Sequence, residues 1–344
     1  MPVDPSMSHA GRSGCPDHHS DHLQPMRSDL MPLRVANRQA VASDIHLFEL
    51  RHPDGAELPA FTAGAHIPVQ TPCGAMRQYS LCNAPQDSHC YQIAVKREAA
   101  GRGGSASMVD ALQVGDLLNV GAPENLFPLD ERASRFILIA GGIGITPMLA
   151  MARQLLHEQR PWRLYYLSRT PEHTAFLDVL QSGDLAPHVK IHHDHGDPQK
   201  GFDLWPVLEK PGSPAGAHVY CCGPTGLMDA VRDMTGHWPG STVHFESFGS
   251  GHSTRDNDRT FSVHFSQSGQ QLQVPAGQTI LDIARQHGIH IPSSCESGSC
   301  GSCKTRLLSG EADHRDLVLL PEEKAQWIMP CVSRALGDQL SLDA

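Results

Sequence analysis

The chain has 344 residues, of which 40% are hydrophobic and 19% are charged, which is enough apolar material for two or three globular domains. Its 27 Lys and Arg against 37 Asp and Glu leave a net charge of −10, which argues against a nucleic-acid-binding surface. No apolar run approaches the roughly 20 residues that span a bilayer, and residues 1–29 lack the apolar stretch of a secretory signal. We therefore expect no nucleic-acid partner, no membrane association and a cytoplasmic location.

The first 29 residues are polar, lack apolar periodicity and predict a disordered tail. Residues 30–132 follow with short strand-like runs separated by turns. Residues 91–96, for example, alternate between apolar and polar side chains. Several short strands at regular spacing predict an antiparallel β domain, either a barrel or a sandwich.

The pattern changes at residue 133. Residues 136–140 form a continuous apolar run, as expected of a strand that is buried on both faces. Strand-like and helical stretches then alternate to about residue 250, including a helix predicted over residues 175–180. This alternation predicts a parallel α/β domain over residues 133–250. A polar linker over residues 251–258 separates it from a third domain, residues 259–344, which begins with a predicted hairpin and a short helix.

The last domain carries a cysteine pattern. Cys295, Cys300 and Cys303 form C-x4-C-x2-C, and 27 residues separate Cys303 from Cys331. This is the spacing of a plant-type [2Fe–2S] cluster, in which four thiolates hold two irons. Zinc sites usually use a second closely spaced cysteine pair, which the single Cys331 does not supply. The four cysteines are therefore predicted to bind a [2Fe–2S] cluster.

Two glycine-containing motifs follow predicted strands of the α/β domain. The first is Gly141-Gly142-Ile143-Gly144, with Thr146-Pro147 opening a helix; the second is Cys222-Gly223-Pro224. Glycines let a backbone approach a ligand closely, and a helix N-terminus favours a phosphate. A tight strand-to-helix turn without a ligand remains the alternative, because the glycines do not form G-x-G-x-x-G.

The β domain carries two weaker motifs. Residues 77–80 read Arg-Gln-Tyr-Ser, which offers a cation, a ring that can stack on a flavin and a hydroxyl. Residues 101–105 read Gly-Arg-Gly-Gly-Ser, which suits a backbone nest for a phosphate. Each motif by itself is also compatible with an ordinary loop.

In this order, the motifs resemble those of the ferredoxin–NADP reductase superfamily. The similarity is greatest to the FMN-containing reductases of Rieske oxygenases, and to their phthalate-type members in particular. The resemblance covers residues 33–344. It implies a Greek-key antiparallel β-barrel for the flavin, a parallel-sheet nucleotide domain and a β-grasp ferredoxin domain. It further implies a monomeric enzyme that passes electrons from NADH through FMN and the cluster to a Rieske oxygenase, here phthalate 4,5-dioxygenase.

The resemblance also assigns residues. Those implied to bind FMN are Arg77, Tyr79, Ser80, Val95, Lys96, Arg102, Gly103, Gly104, Ser105, Thr146 and Phe248. Those implied to bind the nicotinamide nucleotide are Gly141, Gly142, Gly144, Cys222, Gly223 and Pro224. A catalytic part is implied for Ser80, Cys222 and Phe248.

Two questions stay open. The second predicted strand of the α/β domain ends at Ser168-Arg169 without an acidic residue, so these side chains could hold the 2′-phosphate of NADPH, whereas the resemblance implies NADH. The partner could also be a demethylase or amine monooxygenase of the vanillate or carnitine type. A non-catalytic redox-sensing iron–sulfur flavoprotein is a further alternative, although such proteins space their cysteines differently.

Overall fold

The computed structural model describes residues 30–99, 103–209, 216–248, 255, 257–293 and 295–344. The expected tail, Arg102 and most of the expected linker lie outside the described residues. Within the described ranges the strands form a six-stranded sheet, two five-stranded sheets and a two-stranded ribbon. None of the helices in these ranges is both long and apolar enough to cross a membrane.

The first domain is a closed antiparallel barrel, as predicted. Its strands are β1 (Met31–Ala42), β2 (Ile45–Arg51), β3 (His66–Gln70), β4 (Met76–Ser80), β5 (Tyr91–Lys96) and β6 (Leu117–Val120). They lie in the Greek-key order β4-β3-β6-β1-β2-β5, and a bridge between Leu81 and Ile93 joins the two outer strands. Alternate residues fill the interior, among them Leu33, Phe48 and Leu50.

One helix of the barrel was not predicted. Helix α1 (Gly104–Ala111) lies between β5 and β6, where the sequence indicated only a phosphate-binding loop. It forms because Met108 and Val109 face the barrel and join its core. The glycine run therefore becomes the N-terminus of a helix.

The second domain is a parallel sheet in the order β11-β10-β7-β8-β9. Its elements are β7 (Arg135–Gly141), α2 (Ile145–His157), β8 (Trp162–Ser168), α3 (Leu177–Leu180), β9 (Val189–His193), α4 (Trp205–Leu208), β10 (Ala217–Cys222), α5 (Thr225–Met234) and β11 (Val243–Glu246). Helix α3 is shorter than expected because Phe176 takes a left-handed φ of 61°. The sheet grows in one direction from β7 to β8 and in the other from β7 to β10, so the ends of β7 and β10 flank a topological switch point.

The third domain has the β-grasp arrangement. Its elements are β12 (Phe261–Phe265), β13 (Gln270–Val274), α6 (Ile280–Gln286), β14 (Thr305–Ser309), β15 (Ala312–Asp313), β16 (Trp327–Ile328), β17 (Arg334–Ala335) and β18 (Gln339–Leu342). Strands β12 and β18 run parallel at the centre of the sheet. Helix α6 starts at Thr279, whose hydroxyl accepts from the Asp282 N–H while the Asp282 carboxylate accepts from the Thr279 N–H, both at 3.0 Å. This capping box fixes the helix that precedes the cysteine loop.

Candidate functional site

The four predicted cluster cysteines lie together as two pairs of thiols. The Sγ atoms of Cys303 and Cys331 are 3.2 Å apart, and the thiols of Cys295 and Cys300 are hydrogen-bonded to each other. No group of three or more metal-ligating side chains in the described ranges is arranged to hold a single ion. Two pairs match a cluster in which each of two irons takes two thiolates, so the geometry favours [2Fe–2S] over a single zinc.

The loop backbone donates hydrogen bonds to two of these sulfurs. The Ser297 N–H donates to the Cys295 sulfur and the Ser302 N–H donates to the Cys300 sulfur, both at 3.4 Å. The hydrogen bond between the two thiols lowers the pKa of Cys295 and raises that of Cys300, so the pair shares one proton. Gly298 has a φ of 76°, and a Cβ there would lie 2.7 Å from the Val332 side chain. The small residues of the loop are therefore required by its tight path, and the residues fit the cluster.

The two glycine motifs of the nucleotide domain are in direct contact at the switch point. A Cβ on Gly144 would lie 2.1 Å from the carbonyl oxygen of Cys222, and a Cβ on Gly223 would lie 2.9 Å from the Cα of Gly141. The ends of β7 and β10 can approach this closely only because these residues are glycine. The parallel sheet therefore brings together motifs that are about 80 residues apart in the sequence, at the edge where such folds bind nucleotides.

Helix α2 presents its N-terminus beside these loops. Gly142 has a φ of 54°, and no neighbouring atom lies within 4 Å of a Cβ position there, so the space in that direction is open. Thr146 is buried, and its hydroxyl donates to the Ile143 carbonyl at 3.1 Å. Thr146 thus shapes the turn. The contact with FMN that the resemblance implied for it stays a prediction.

Cys222 lies at the end of β10 and is completely buried. Burial, followed by the field of Glu246, raises the pKa of its thiol well above the usual range. A neutral thiol is a poor nucleophile. Cys222 would therefore act by non-covalent contact with a ligand and not by forming a covalent bond. That catalytic part stays a prediction.

A candidate phosphate site for the flavin lies at the N-terminus of α1. Gly103 caps the helix with a left-handed φ of 81°, and its first turn contains no acidic residue. A Cβ on Gly104 would lie 2.9 Å from Nε of Arg77, so the guanidinium packs directly on the helix start. A helix N-terminus next to an arginine is suited to an anion. The Ser105 hydroxyl accepts from the Glu98 N–H at 3.1 Å.

The other expected flavin residues line β4 and β5. Tyr79 is half-buried, and burial raises the pKa of its hydroxyl to about 12, so it offers a neutral ring. Val95 is buried, and the Lys96 amine is paired with the Glu98 carboxylate at 2.6 Å. Phe248 follows β11 with 44% of its surface exposed. The Tyr79 ring and the Val95 side chain offer the apolar surface that suits a flavin ring, and the charges of Lys96 and Glu98 are paired with each other.

Sequence reasoning missed Glu246, which lies at the end of β11. The Ser80 hydroxyl donates to its Oε2 at 3.4 Å. Burial raises the pKa of Glu246 to about 8, with a further contribution from Cys295. The carboxyl group therefore lies where the flavin, nucleotide and ferredoxin domains meet. No local pattern in the sequence pointed to a half-buried acid at this position.

His66 was also missed. It lies opposite Ser80 in the β3–β4 register and is 4% exposed. Its Nε2 is buried and has no hydrogen-bond partner among the described residues. Burial lowers the pKa of His66, while Glu124 and Cys295 oppose that shift. An apolar strand pattern gave no reason to expect a buried histidine facing the cluster domain.

The structure revises the expectation for Ser168. Its hydroxyl is buried and lies 2.7 Å from the Thr174 hydroxyl, so it is already satisfied inside the domain. Arg169 is exposed. Glu172, whose pKa is lowered by a hydrogen bond from Thr170, places a carboxylate in the same loop. The sequence has no acidic residue at Ser168-Arg169, but Glu172 supplies one three residues after Arg169, close to the end of β8.

Comparison with known proteins assigns all three domains. Residues 32–128 match the oxidoreductase FAD-binding domain, residues 138–233 the oxidoreductase NAD-binding domain, and residues 263–336 the 2Fe-2S iron-sulfur cluster binding domain. These matches confirm the predicted fold class, the flavin, the nicotinamide nucleotide and the cluster. They support an enzyme over the non-catalytic redox sensor.

Full-length relatives narrow the assignment. The chain is 55% identical to phthalate dioxygenase reductase of Burkholderia cepacia over 93% of this chain and 99% of that protein. It is 40% identical to a vanillate O-demethylase oxidoreductase of a Pseudomonas strain over 90% of this chain and 98% of that protein. A solved structure of phthalate dioxygenase reductase, described as transferring electrons from pyridine nucleotides to [2Fe–2S], superposes with a TM-score of 0.71 over 92% of this chain and 98% of its own.

The chain therefore belongs to the phthalate dioxygenase reductase family of flavin- and [2Fe–2S]-containing, nicotinamide-nucleotide-dependent oxidoreductases.

Proposed function

We propose that this chain is the NADH-dependent reductase of a Rieske-type oxygenase that acts on phthalate, with FMN as its flavin. The 55% identity to a phthalate dioxygenase reductase, against 40% to a vanillate demethylase reductase, supports the choice of partner. Because all three sites are completed within one chain, we propose that it works as a monomer. We also propose a cytoplasmic location, where thiols stay reduced and available to bind a cluster.

The observation that carries the proposal is the junction at the end of β11. Glu246 accepts from Ser80 of the barrel at 3.4 Å, and the next residue, Ser247, accepts through its carbonyl from the Ser297 hydroxyl of the cysteine loop at 2.7 Å. Two consecutive residues of the nucleotide domain therefore contact both other domains. This junction supports direct transfer between the three sites.

When bound, the flavin accepts a hydride and releases single electrons, and the cluster carries one electron at a time. Arg77 and the α1 N-terminus would hold the flavin phosphate, and Tyr79 would lie along the ring. The glycine loops after β7 and β10 would admit the nucleotide backbone. The raised pKa of Glu246 favours its neutral carboxyl form, which would hold a proton next to the Ser80 hydroxyl.

The choice of FMN over FAD rests on the phosphate site. The N-terminus of α1 and Arg77 form one compact anion site, which suits the terminal phosphate of FMN. Acid extraction followed by chromatography should release FMN in a 1:1 ratio to protein. Recovery of FAD would overturn this part of the proposal.

The choice of NADH over NADPH rests on the loop after β8. The Ser168 hydroxyl is committed to Thr174, and the Glu172 carboxylate shares the loop with Arg169. A carboxylate repels the 2′-phosphate of NADPH. We expect kcat/KM to be higher for NADH than for NADPH, and Glu172→Gln should bring the two values closer together. Equal use of both nucleotides by the wild type would refute the assignment.

The function is tested with the purified holoprotein and NADH. Flavin and cluster should both be reduced, and the addition of a purified phthalate 4,5-dioxygenase oxygenase should give product at a rate that depends on the reductase. Oxygenases of vanillate and carnitine metabolism serve as alternative partners under the same conditions. Faster coupling to either of them than to the phthalate enzyme would contradict the proposed partner.

A further inference from the structure

A buried carboxylate lies where the chain enters the ferredoxin domain. The side chain of Asp258 is 4% exposed. It accepts from the two terminal nitrogens of Arg315 at 3.0 and 2.6 Å, and its Oδ2 lies 3.5 Å from Nε of Arg334. It also accepts from the Arg255 N–H at 2.9 Å. The end of the interdomain connection is therefore held on the ferredoxin domain by a bidentate ion pair.

The arginines that hold Asp258 are themselves fixed. The Arg315 side chain is 4% exposed and donates through Nε to Asp313 at 2.7 Å. Arg334 is 2% exposed and donates to the carbonyls of Arg259 and Pro275, both at 3.0 Å. A buried charge network of this kind adds little net stability, but it strongly disfavours other arrangements because each would leave a charge unpaired. We therefore attribute to it the fixed position of Asp258, the last residue of the connection.

The residues after Arg315 contact the cysteine loop and the nucleotide domain. The Leu317 N–H donates to the Gly298 carbonyl at 2.9 Å. The half-buried Leu317 side chain packs against the nucleotide-domain core that contains Ile137 and Trp238. Leu320 lies close by, with its Cδ2 3.2 Å from a Cβ position on Gly240. Segment 315–317 therefore joins the end of the connection, the cysteine loop and the neighbouring domain within three residues.

We propose that segment 315–317, together with Asp258, is the positioning element that keeps the cysteine loop docked at the β11 junction for the flavin-to-cluster step. This inference rests on the proposed function. In that step the reduced flavin loses one electron and the oxidised cluster gains it, twice for each NADH. Arg315 and Leu317 are positioning residues: neither is a cluster ligand, and each acts by placing the loop that carries Cys295.

Leu317→Ala is the principal test, and Leu308→Ala is its matched control. Leu308 belongs to the same domain but is 48% exposed and is not part of the apolar contact with the nucleotide domain. Rapid mixing with NADH should show flavin reduction at the wild-type rate in both variants. Cluster reduction should slow about tenfold in Leu317→Ala only, corresponding to a docked state weakened by about 1.4 kcal/mol.

Four further measurements separate positioning from damage to the cluster. The midpoint potential and EPR spectrum of the cluster should be unchanged in Leu317→Ala. Small-angle X-ray scattering should show a larger radius of gyration, and limited proteolysis between residues 248 and 258 should be faster. A shifted potential with unchanged scattering would overturn the positioning role.

Asp258→Asn tests the clamp itself, with the exposed Asp338→Asn as its control. It should give the same slow cluster reduction and expanded scattering as Leu317→Ala. If the Asp258→Asn variant loses its cluster, the inference is tested by the cluster-reduction rate of Leu317→Ala alone. Wild-type cluster reduction by both Leu317→Ala and Asp258→Asn would refute the inference. If NADH fails to reduce the cluster of the wild-type protein, the proposed function itself is wrong.

Discussion

Gly144→Ala tests whether the contact between the two glycine loops shapes the nucleotide site. A Cβ at this position would lie 2.1 Å from the Cys222 carbonyl oxygen, whereas ordinary van der Waals contact begins at 3.4 Å, so the loops must separate by about 1.3 Å. The opposing atoms belong to the backbone and cannot swing aside. A misplacement of about 1 Å can cost on the order of 100-fold in rate. We expect kcat/KM for NADH to fall by that amount, or about 2.7 kcal/mol.

The assay is the bleaching of flavin absorbance after rapid mixing with a series of NADH concentrations. Flavin and cluster contents should stay at wild-type values, because Gly144 lies in neither of those domains. Gly337→Ala is the control: this residue has an ordinary φ and no atom within 4 Å of a Cβ position, so its kinetics should not change. Wild-type NADH kinetics and melting temperature in Gly144→Ala would refute the reasoning.

Three further predictions concern the cluster, the junction and pH. Cys331→Ser should abolish the absorbance and EPR signal of the cluster while the flavin content and NADH–ferricyanide activity persist; loss of flavin as well would contradict separate sites. Ser80→Ala removes one hydrogen bond and should therefore slow flavin reduction about tenfold, whereas Ser80→Thr should keep the wild-type rate. Because the Ser80 hydrogen bond lowers the pKa of Glu246, Ser80→Ala should also raise that pKa. An unchanged pH profile of the flavin-reduction rate would contradict this prediction. Burial lowers the pKa of His244 to about 4 and also lowers that of its partner His218. Because the unfolded chain takes up these protons at a higher pH, the free energy of unfolding should be highest above about pH 6.5 and should fall as the pH falls towards 4. Urea unfolding should give a lower free energy of unfolding at pH 5 than at pH 7, and the difference should be smaller in His244→Phe.

The sequence by itself determined the features whose physical signals are local. The C-x4-C-x2-C spacing identifies the cluster because three of the four ligands lie on one short loop. The apolar run of β7 predicts a buried strand, and the glycines after it predict a turn that can bind a phosphate, because each signal lies in consecutive residues. Strand and helix periodicity gave an antiparallel β domain followed by a parallel α/β domain, and the family resemblance added the Greek-key barrel and the β-grasp fold; the comparisons with known proteins confirm this fold class.

Features that depend on burial were decided only by the tertiary structure. Glu246 is one acidic residue among many in the sequence. Desolvation in the fold raises the pKa of its carboxyl group to about 8, against the hydrogen bond from Ser80, which lowers it. His66 lies in β3, and only the folded barrel buries its side chain to 4% exposure. The hydroxyl of Ser168 was expected to be available for the nucleotide, but Thr174 satisfies it inside the fold.

The placement of the domains relative to one another was also beyond the sequence. Asp258 and Arg315 are 57 residues apart, and no local pattern pairs a linker carboxylate with one arginine rather than another. The pairing is decided by burial: both side chains lose water when the ferredoxin domain folds, and each then requires the opposite charge at hydrogen-bond distance. The sequence alone determines which groups this protein carries, whereas the tertiary structure decides which of them meet, because desolvation and distance depend on contacts between remote segments.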